Sequence, residues 1–269
     1  MKAAPPFTLV YEDQNIIAVN KAAGIAVSGD RWNDSKLSLD RIVADSLPEP
    51  ARLFRVHRID AETSGLVVFA KHGDSHAALS LAFENRQIHK RYIAIVNGRP
   101  LWKEAECDLP LIADGNKKHM TIVDKYRGKK SLTRFRLLGS AGAFSVLEAL
   151  PETGRTHQIR VHAAALGFPV ACDSLYGNGK PLLLSSFKRG WRGDPLEEKP
   201  LLARLGLHAV ELRVPGGILS PTANGNVADN GVAGSKPLPA ELCLCAPLAK
   251  DMAALIRQME KQADISIPV

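Results

Sequence analysis

His57-Arg58-Ile59-Asp60-Ala61-Glu62-Thr63-Ser64-Gly65 runs straight into Leu66-Val67-Val68-Phe69-Ala70-Lys71. The second half reads as an apolar strand, and the Thr-Ser-Gly turn feeds directly into it. Asp60 therefore lies between a basic pair and a turn, at the mouth of a rigid element, where a functional carboxylate is best held. A plainer reading stands beside this one: an Asp ahead of Thr-Ser-Gly caps a turn by accepting a backbone N–H. The residues of this stretch alone favour the cap, and the remainder of the chain has to decide.

The 269 residues suffice for one large domain or two modest ones, either with a real core. A formal charge of +7 and a pI near 9.3 point toward a polyanionic partner. The charge is concentrated: Lys117, Lys118, Lys125, Arg127, Lys129, Lys130, Arg134 and Arg136 fall in one window opposed only by Asp124, a bias that favours phosphate contact over a merely solvated face. Four cysteines, Cys107, Cys172, Cys243 and Cys245, form neither a disulfide framework nor a paired Cys-x-x-Cys zinc site, so a reducing compartment is expected. Residues 1–6 carry no signal pattern and no apolar run nears the roughly 18 residues of a membrane span. A cytoplasmic protein without membrane contact follows.

Strands are expected at Phe7–Tyr11, Asn15–Asn20, His89–Val96, Ser131–Leu138, Ala143–Leu150, Leu207–Val214 and Glu241–Cys245. On the third of these, Tyr92, Ala94 and Val96 share one face, and Ile93 and Ile95 the other. Helices are expected within Ser38–Leu47, ahead of Pro48-Glu49-Pro50, and after Asp74 or Ser75 with Ala77, Ala78, Leu81 and Ala82 on one face. A third is capped by Thr156 and stopped by Gly167, and a last begins near Pro247 with Met252, Leu255, Ile256 and Met259 facing the core. Residues 181–206 and 220–235 read as excursions from a single domain spanning 1–269. Cys243 and Cys245 share one side of a strand and are assigned to the core.

Three patterns stand together: His-Arg-Ile-Asp-x-x-Thr-Ser-Gly at 57–65, Lys-x-Tyr-x-Ala at 90–94, and Gly-Arg-Thr-His-Gln-Ile-Arg-Val-His at 154–162. Jointly they closely resemble the RluA family of RNA pseudouridine synthases. Tyr11-Glu12-Asp13, Leu109-Pro110-Leu111, Gly128-Lys129-Lys130, Asp173 to Gly177 and Leu207-His208-Ala209 follow in the family's order. The likeness is strong over residues 8–180 and loose beyond. It implies an α+β fold, a large mixed, mainly antiparallel twisted sheet flanked by helices, with a central basic cleft. It also implies Asp60 as catalytic aspartate, Tyr92 as active-site tyrosine and Arg160 as the arginine paired with the aspartate. His57, Arg58, Thr63, Arg155, His157, Lys129 and Lys130 are the expected substrate contacts. No metal and no cofactor are expected, and the implied partner is RNA, ribosomal or transfer, bound as a stem-loop by a monomer.

The chemistry agrees with these residue types. Making pseudouridine breaks the bond from ribose C1′ to N1, turns the base and joins C1′ to C5, with no change of redox state. A carboxylate can serve as nucleophile or as base toward the C2′ proton, and the sequence does not choose. An ionised carboxylate in a dry site needs a guanidinium beside it. A uridine in folded RNA must be extruded, and Tyr92 offers a surface to stack on, although a strand tyrosine commonly just spans core and surface. Arg58 fits either the gap left by the flipped base, its phosphate, or a structural ion pair. His57, His157 and His162 lack metal-ligand spacing and read as hydrogen-bonding or RNA-facing. Ile59 and Ala22 replace the family's usual Leu and Pro, and no S4-type module is expected ahead of residue 8. The rival readings are an RNA-binding protein or chaperone on the same fold, and a glycosidic hydrolase, which would require a second matched carboxylate.

Overall fold

The computed structural model describes residues 5–29, 37–48, 52–116, 120–186, 188, 190–219 and 241–269. Lys117, Lys118, Glu49, Pro50 and the expected 220–235 excursion lie outside the described residues. Two compact units emerge: Met1–Ala61 with Gly65–Lys90 and Glu211–Pro247, and Glu62–Ser64 with Arg91–Val210 and Leu248–Val269.

In the first unit, β1 (Phe7–Glu12) and β2 (Ile16–Lys21) form an antiparallel hairpin. The Asp13 carboxylate closes its turn by accepting the N–H groups of Asn15 and Ile16 at 2.7 and 2.8 Å. Helix α1 (Leu39–Ser46) and the two-residue β3 (Phe54–Arg55) follow. β4 (Ser64–Ala70) runs antiparallel to β2, from Ile16 opposite Ala70 to Lys21 opposite Gly65. All seven β4 residues are buried, as a run without a polar alternate position requires. Helix α2 (Gly73–Glu84) lies close to the expected place, but it buries Ser75, Leu79 and Ala82, while Leu81 is 58% exposed. Five small or apolar residues at 77–79 and 81–82 blur its periodicity, and the sequence offers the wrong stripe.

The second unit is built on β5 (His89–Asn97), β6 (Glu104–Cys107), β9 (Thr133–Ala141) and β10 (Phe144–Pro151), paired antiparallel as β5-β10-β9-β6. Both β5 faces are covered, with the parity expected. Ile93 and Ile95 pack with Val146 and with Met252, Leu255, Ile256 and Met259 of α4 (Lys250–Ala263). Ala94 and Val96, with Tyr92 at the margin, pack with Phe135, Leu147 and with Ile159 and Ala163 of α3 (Gln158–Ala165). The β9–β10 hairpin turns at Gly142 (φ +58°), later than the Gly139–Gly142 loop expected, and a bulge opposite Val146 and Leu147 takes up the extra residue. A small ladder, β7 (Leu111–Ile112) with β8 (Ile122–Val123), stands apart from this sheet. The 181–206 excursion is tied at its ends by a bridge between buried Leu182 and Leu202.

β11 (Leu207–Pro215) begins in the second unit and ends in the first, where Glu211–Pro215 pairs antiparallel with β12 (Glu241–Cys245). Among the described residues, β1-β2-β4 with β3 on β4 form the first unit's share of sheet and β5-β10-β9-β6 the second's, while β12 lies on β11. The fold is α+β with a mainly antiparallel sheet, as expected. Among the described residues, no helix is long and apolar enough to cross a membrane.

Candidate active site

Asp60 is half-buried in the connection from β3 to β4, and the residues on either side of it are fastened. His57 accepts the Val68 N–H at Nε2 (2.9 Å) and stacks on Phe83 with ring centroids 4.9 Å apart. Ile59 is buried. The Ala61 carbonyl accepts the Gly24 N–H at 2.7 Å and the Lys21 ammonium at 2.9 Å. Lys21 is only 1% exposed, and its ammonium also donates to the carbonyls of Ala22 and Ile25, each at 2.9 Å. A buried cation without such partners would be very costly; with them it ties the Asp60 connection to the end of β2. The sequence held a sign of this, since Lys21 continues the parity of Ile17 and Val19. Arg58 is exposed and makes no ion pair among the described residues.

An imidazole that accepts a backbone N–H cannot also be protonated there. Burial, then the Lys90 charge, pushes the His57 pKa down from 6.5 to about 3. The unfolded chain therefore takes up a proton below pH 6.5 that the native state refuses until about pH 3. Stability is full above 6.5 and declines as pH falls through that window, by at most about 1.4 kcal/mol per pH unit for one group. Buried His162 is lowered as well and contributes with the same sign. Urea unfolding midpoints at pH 7 and pH 5 are expected to differ in the wild type and to differ less in His57→Asn; equal differences in both would remove His57 from this role.

Arg160 occupies the first turn of α3 and is 3% exposed. Its guanidinium donates from Nε to Asp173 Oδ2 at 2.7 Å and from Nη2 to Asp173 Oδ1 at 2.8 Å, a bidentate pair. Asp173 also accepts the N–H groups of Leu175 and Tyr176. Burial raises the Asp173 carboxyl, but Arg160 and those two N–H groups outweigh it and hold the pKa below the usual carboxylate value. The Arg160 guanidinium also lies 5.2 Å from the Tyr176 ring centroid. The Tyr176 hydroxyl accepts the Thr121 N–H at 3.0 Å and bonds His157 Nδ1 at 2.9 Å. The structure thus gathers Arg160 and His157 into one network with Asp173, Tyr176 and Thr121. Asp173, thirteen residues beyond Arg160, has no periodic signature that marks it as a partner.

The start of α3 departs from expectation. His157, in left-handed backbone (φ 52°), occupies the cap position, and Thr156 precedes the helix. Gln158 Oε1 accepts the Arg155 N–H and the Thr153 hydroxyl, so a turn fixed by Gln158 replaces the Thr cap. Arg155 donates from Nε to the Lys130 carbonyl at 3.1 Å, bringing Arg155 and Lys130 together. Thr63 is buried, and Tyr92 is half-buried on β5 opposite Ala149. His162 is buried and bonds Thr133 Oγ1 and the Leu109 carbonyl, a hydrogen-bonding role within the unit.

The basic window is less cationic in space than in sequence. Arg134 pairs with Glu106 (2.9 Å) and Glu152, Arg136 with Glu148 (3.0 Å), and Arg127 with Asp124 (2.9 Å). Neighbouring strands bring in carboxylates that a count along the chain omits. Lys125, Lys129 and Lys130 remain exposed, with no ion pair among the described residues. They flank Tyr126, which is 98% exposed on a turn where Asp124 Oδ1 accepts the N–H groups of Tyr126 and Arg127. Gly128 closes the turn because a Cβ there would lie 2.3 Å from the Asp124 carbonyl oxygen. Lys129 exchanges backbone hydrogen bonds with Leu111, which fixes the tip on the small ladder. Tyr126 went unremarked in the sequence, where one aromatic among lysines carries little signal.

Cys243 and Cys245 correct another expectation. They do share a face, but it is the exposed one; Leu244, of opposite parity, is buried.

A family profile described as RNA pseudouridylate synthase matches residues 15–165. The chain is 36% identical over 182 residues to the ribosomal large subunit pseudouridine synthase D of Zymomonas mobilis, covering 65% of this chain but 57% of that protein. It is 35% identical over 213 residues to the dual-specificity RNA pseudouridine synthase RluA of Vibrio vulnificus, with 77% of each covered. The chain thus spans less than two thirds of the first relative and more of the second. Among solved structures, human RNA pseudouridylate synthase domain containing 4 shares the fold, with a TM-score of 0.66 at 21% identity over 97% of this chain and 94% of that one.

Proposed function

Because this chain belongs to the RNA pseudouridylate synthase family, we propose that it isomerises specific uridines in RNA to pseudouridine, with Asp60 as the catalytic carboxylate and Tyr92 and Arg160 completing the catalytic set. The observation that carries the reading is the matched span, residues 15–165, which contains all three residues in their motifs. The fastening of the Asp60 connection by Lys21 and His57 supports it, since a catalytic group gains from being held by its scaffold. The reaction rearranges one nucleotide without changing its composition, so no oxidant, reductant or group donor has to be bound. Asp60 acts either on the sugar or base as a nucleophile or on the C2′ proton as a base. Tyr92 receives the extruded uracil by stacking.

The substrate is a stem-loop of ribosomal RNA; the names of the relatives that act on the ribosomal large subunit support this choice. The enzyme works as a monomer in the cytoplasm. Chemical mapping of pseudouridine in RNA from cells with and without the gene tests it. Loss at one or a few ribosomal positions is the expected result, loss confined to transfer RNA would move the substrate, and an unchanged map would end the reading.

RNA contact is assigned to the lysines around Tyr126. Each phosphate contact adds roughly 0.7–0.9 to the slope of log affinity against log salt. Lys129→Gln/Lys130→Gln is expected to lower that slope by roughly 1.4–1.8. Tyr126→Ala is expected to cost about 1–3 kcal/mol of affinity through lost stacking, with the slope unchanged. Titrations of a labelled stem-loop at several salt concentrations separate the two; a slope untouched by the double substitution would take this tip out of the interface.

A further inference from the structure

The β11–β12 ladder carries a second constellation that the reaction does not use. Cys245 stands opposite Glu211 and Cys243 opposite Arg213, so four side chains form a square on the exposed face of the pair. The two sulfurs are 3.6 Å apart, Glu211 Oε2 is 3.9 Å from Cys245 Sγ, and the three donors lie within 4.8 Å of one another. We propose that Cys243, Cys245 and Glu211 bind one thiophilic divalent cation of the zinc class.

Tetrahedral zinc with Zn–S bonds of about 2.3 Å sets two thiolates roughly 3.8 Å apart, and a thiolate and a carboxylate oxygen roughly 3.6 Å apart. The observed separations need only a few tenths of an ångström of adjustment. The carboxylate is already oriented: Arg213 donates from Nε to Glu211 Oε1 at 2.6 Å, leaving Oε2 turned toward the thiols. This is the arrangement by which an outer residue aims a metal ligand. Charge closes as well, since two thiolates and a carboxylate balance a divalent cation and the Arg213 guanidinium. Cysteine is among the most buried residue types, so two thiols side by side at the surface need a reason that packing does not give. Three protein ligands leave the fourth position to water or a fourth donor, and binding displaces the two thiol protons to solvent. The cation would clamp β12 onto β11.

Cd2+ titration of the full, reduced, metal-stripped chain tests this through thiolate charge-transfer absorption, with Zn2+ uptake measured by dialysis. One equivalent per chain is expected. Cys243→Ser and Cys245→Ser should each lose the absorption, and Glu211→Gln should need roughly tenfold more cation. Zn2+ should raise the melting temperature of the wild type and not that of Cys243→Ser/Cys245→Ser, whose substitutions are at exposed positions. That double variant retains Cys107 and Cys172; undiminished absorption in it would assign the cation to those thiols and overturn the site, as would the absence of absorption in the wild type.

Discussion

Asp60→Asn is expected to make no measurable pseudouridine, with a loss of about 10⁴-fold or more, the upper end of what one acid–base group supplies. Joining C1′ to C5 expels the C5 hydrogen to water, so tritium released from C5-labelled uridine in RNA reads the reaction directly. The substitution keeps the side chain's shape. Its anchors, His57 on Val68 and Lys21 on Ala61, do not involve the carboxylate, so folding and RNA affinity should stay close to those of the wild type. Loss of turnover with retained binding separates a catalytic carboxylate from a turn cap, whose removal would cost stability. It also separates an enzyme from an RNA chaperone, which would not notice the change. Turnover within tenfold of the wild type would show that Asp60 is not the catalytic group.

Asp173→Asn should have the opposite signature. Arg160 and Asp173 are 3% and 1% exposed and joined by two hydrogen bonds, so neutralising one leaves the other charged and buried. Such a loss costs about 3–5 kcal/mol. For a chain of this size that is a drop of roughly 10 °C in melting temperature. The pH dependence carries a definite sign: with its pKa lowered in the native state, Asp173 adds stability that is full above the usual carboxylate value and is lost as pH falls from there through the lowered native value. The variant should therefore show a flatter acid limb. Arg160→Met/Asp173→Leu should be less destabilised than Asp173→Asn, because the two charges of the pair leave the interior together. A melting temperature within 2 °C of the wild type in Asp173→Asn would mean that the pair is not the support described.

Much of this was legible beforehand, for reasons that can be named. The alternation on β5 and the stripe of α4 were read correctly because each places bulky residues at a single period, which only one face can bury. The stripe of α2 was misjudged because alanines leave the period faint. Parity put Cys243 and Cys245 on one face but could not say which face was inward; Leu244 decides it. The strands of two residues, β3, β7 and β8, are too short to imprint a pattern. Of the candidate site, the motifs marked Asp60, Tyr92 and Arg160. Lys21, Asp173 and Tyr176, which hold their neighbours in place, act through contacts between residues far apart in sequence. The same blindness to folding inflated the basic window, whose arginines meet Glu106, Glu148 and Glu152 only once strands are side by side.

The ammonium of Lys21 gathers oxygens from residues 22, 25 and 61, and all three belong to the main chain. Side-chain replacements at those three positions should consequently be well tolerated, whereas nothing neutral can substitute for the lysine. A knot of this kind leaves the acidic residue next to it little freedom to travel. On the proposed function, the work of rearrangement would then fall on the RNA, which would have to unstack and swing its own base out to meet a stationary partner.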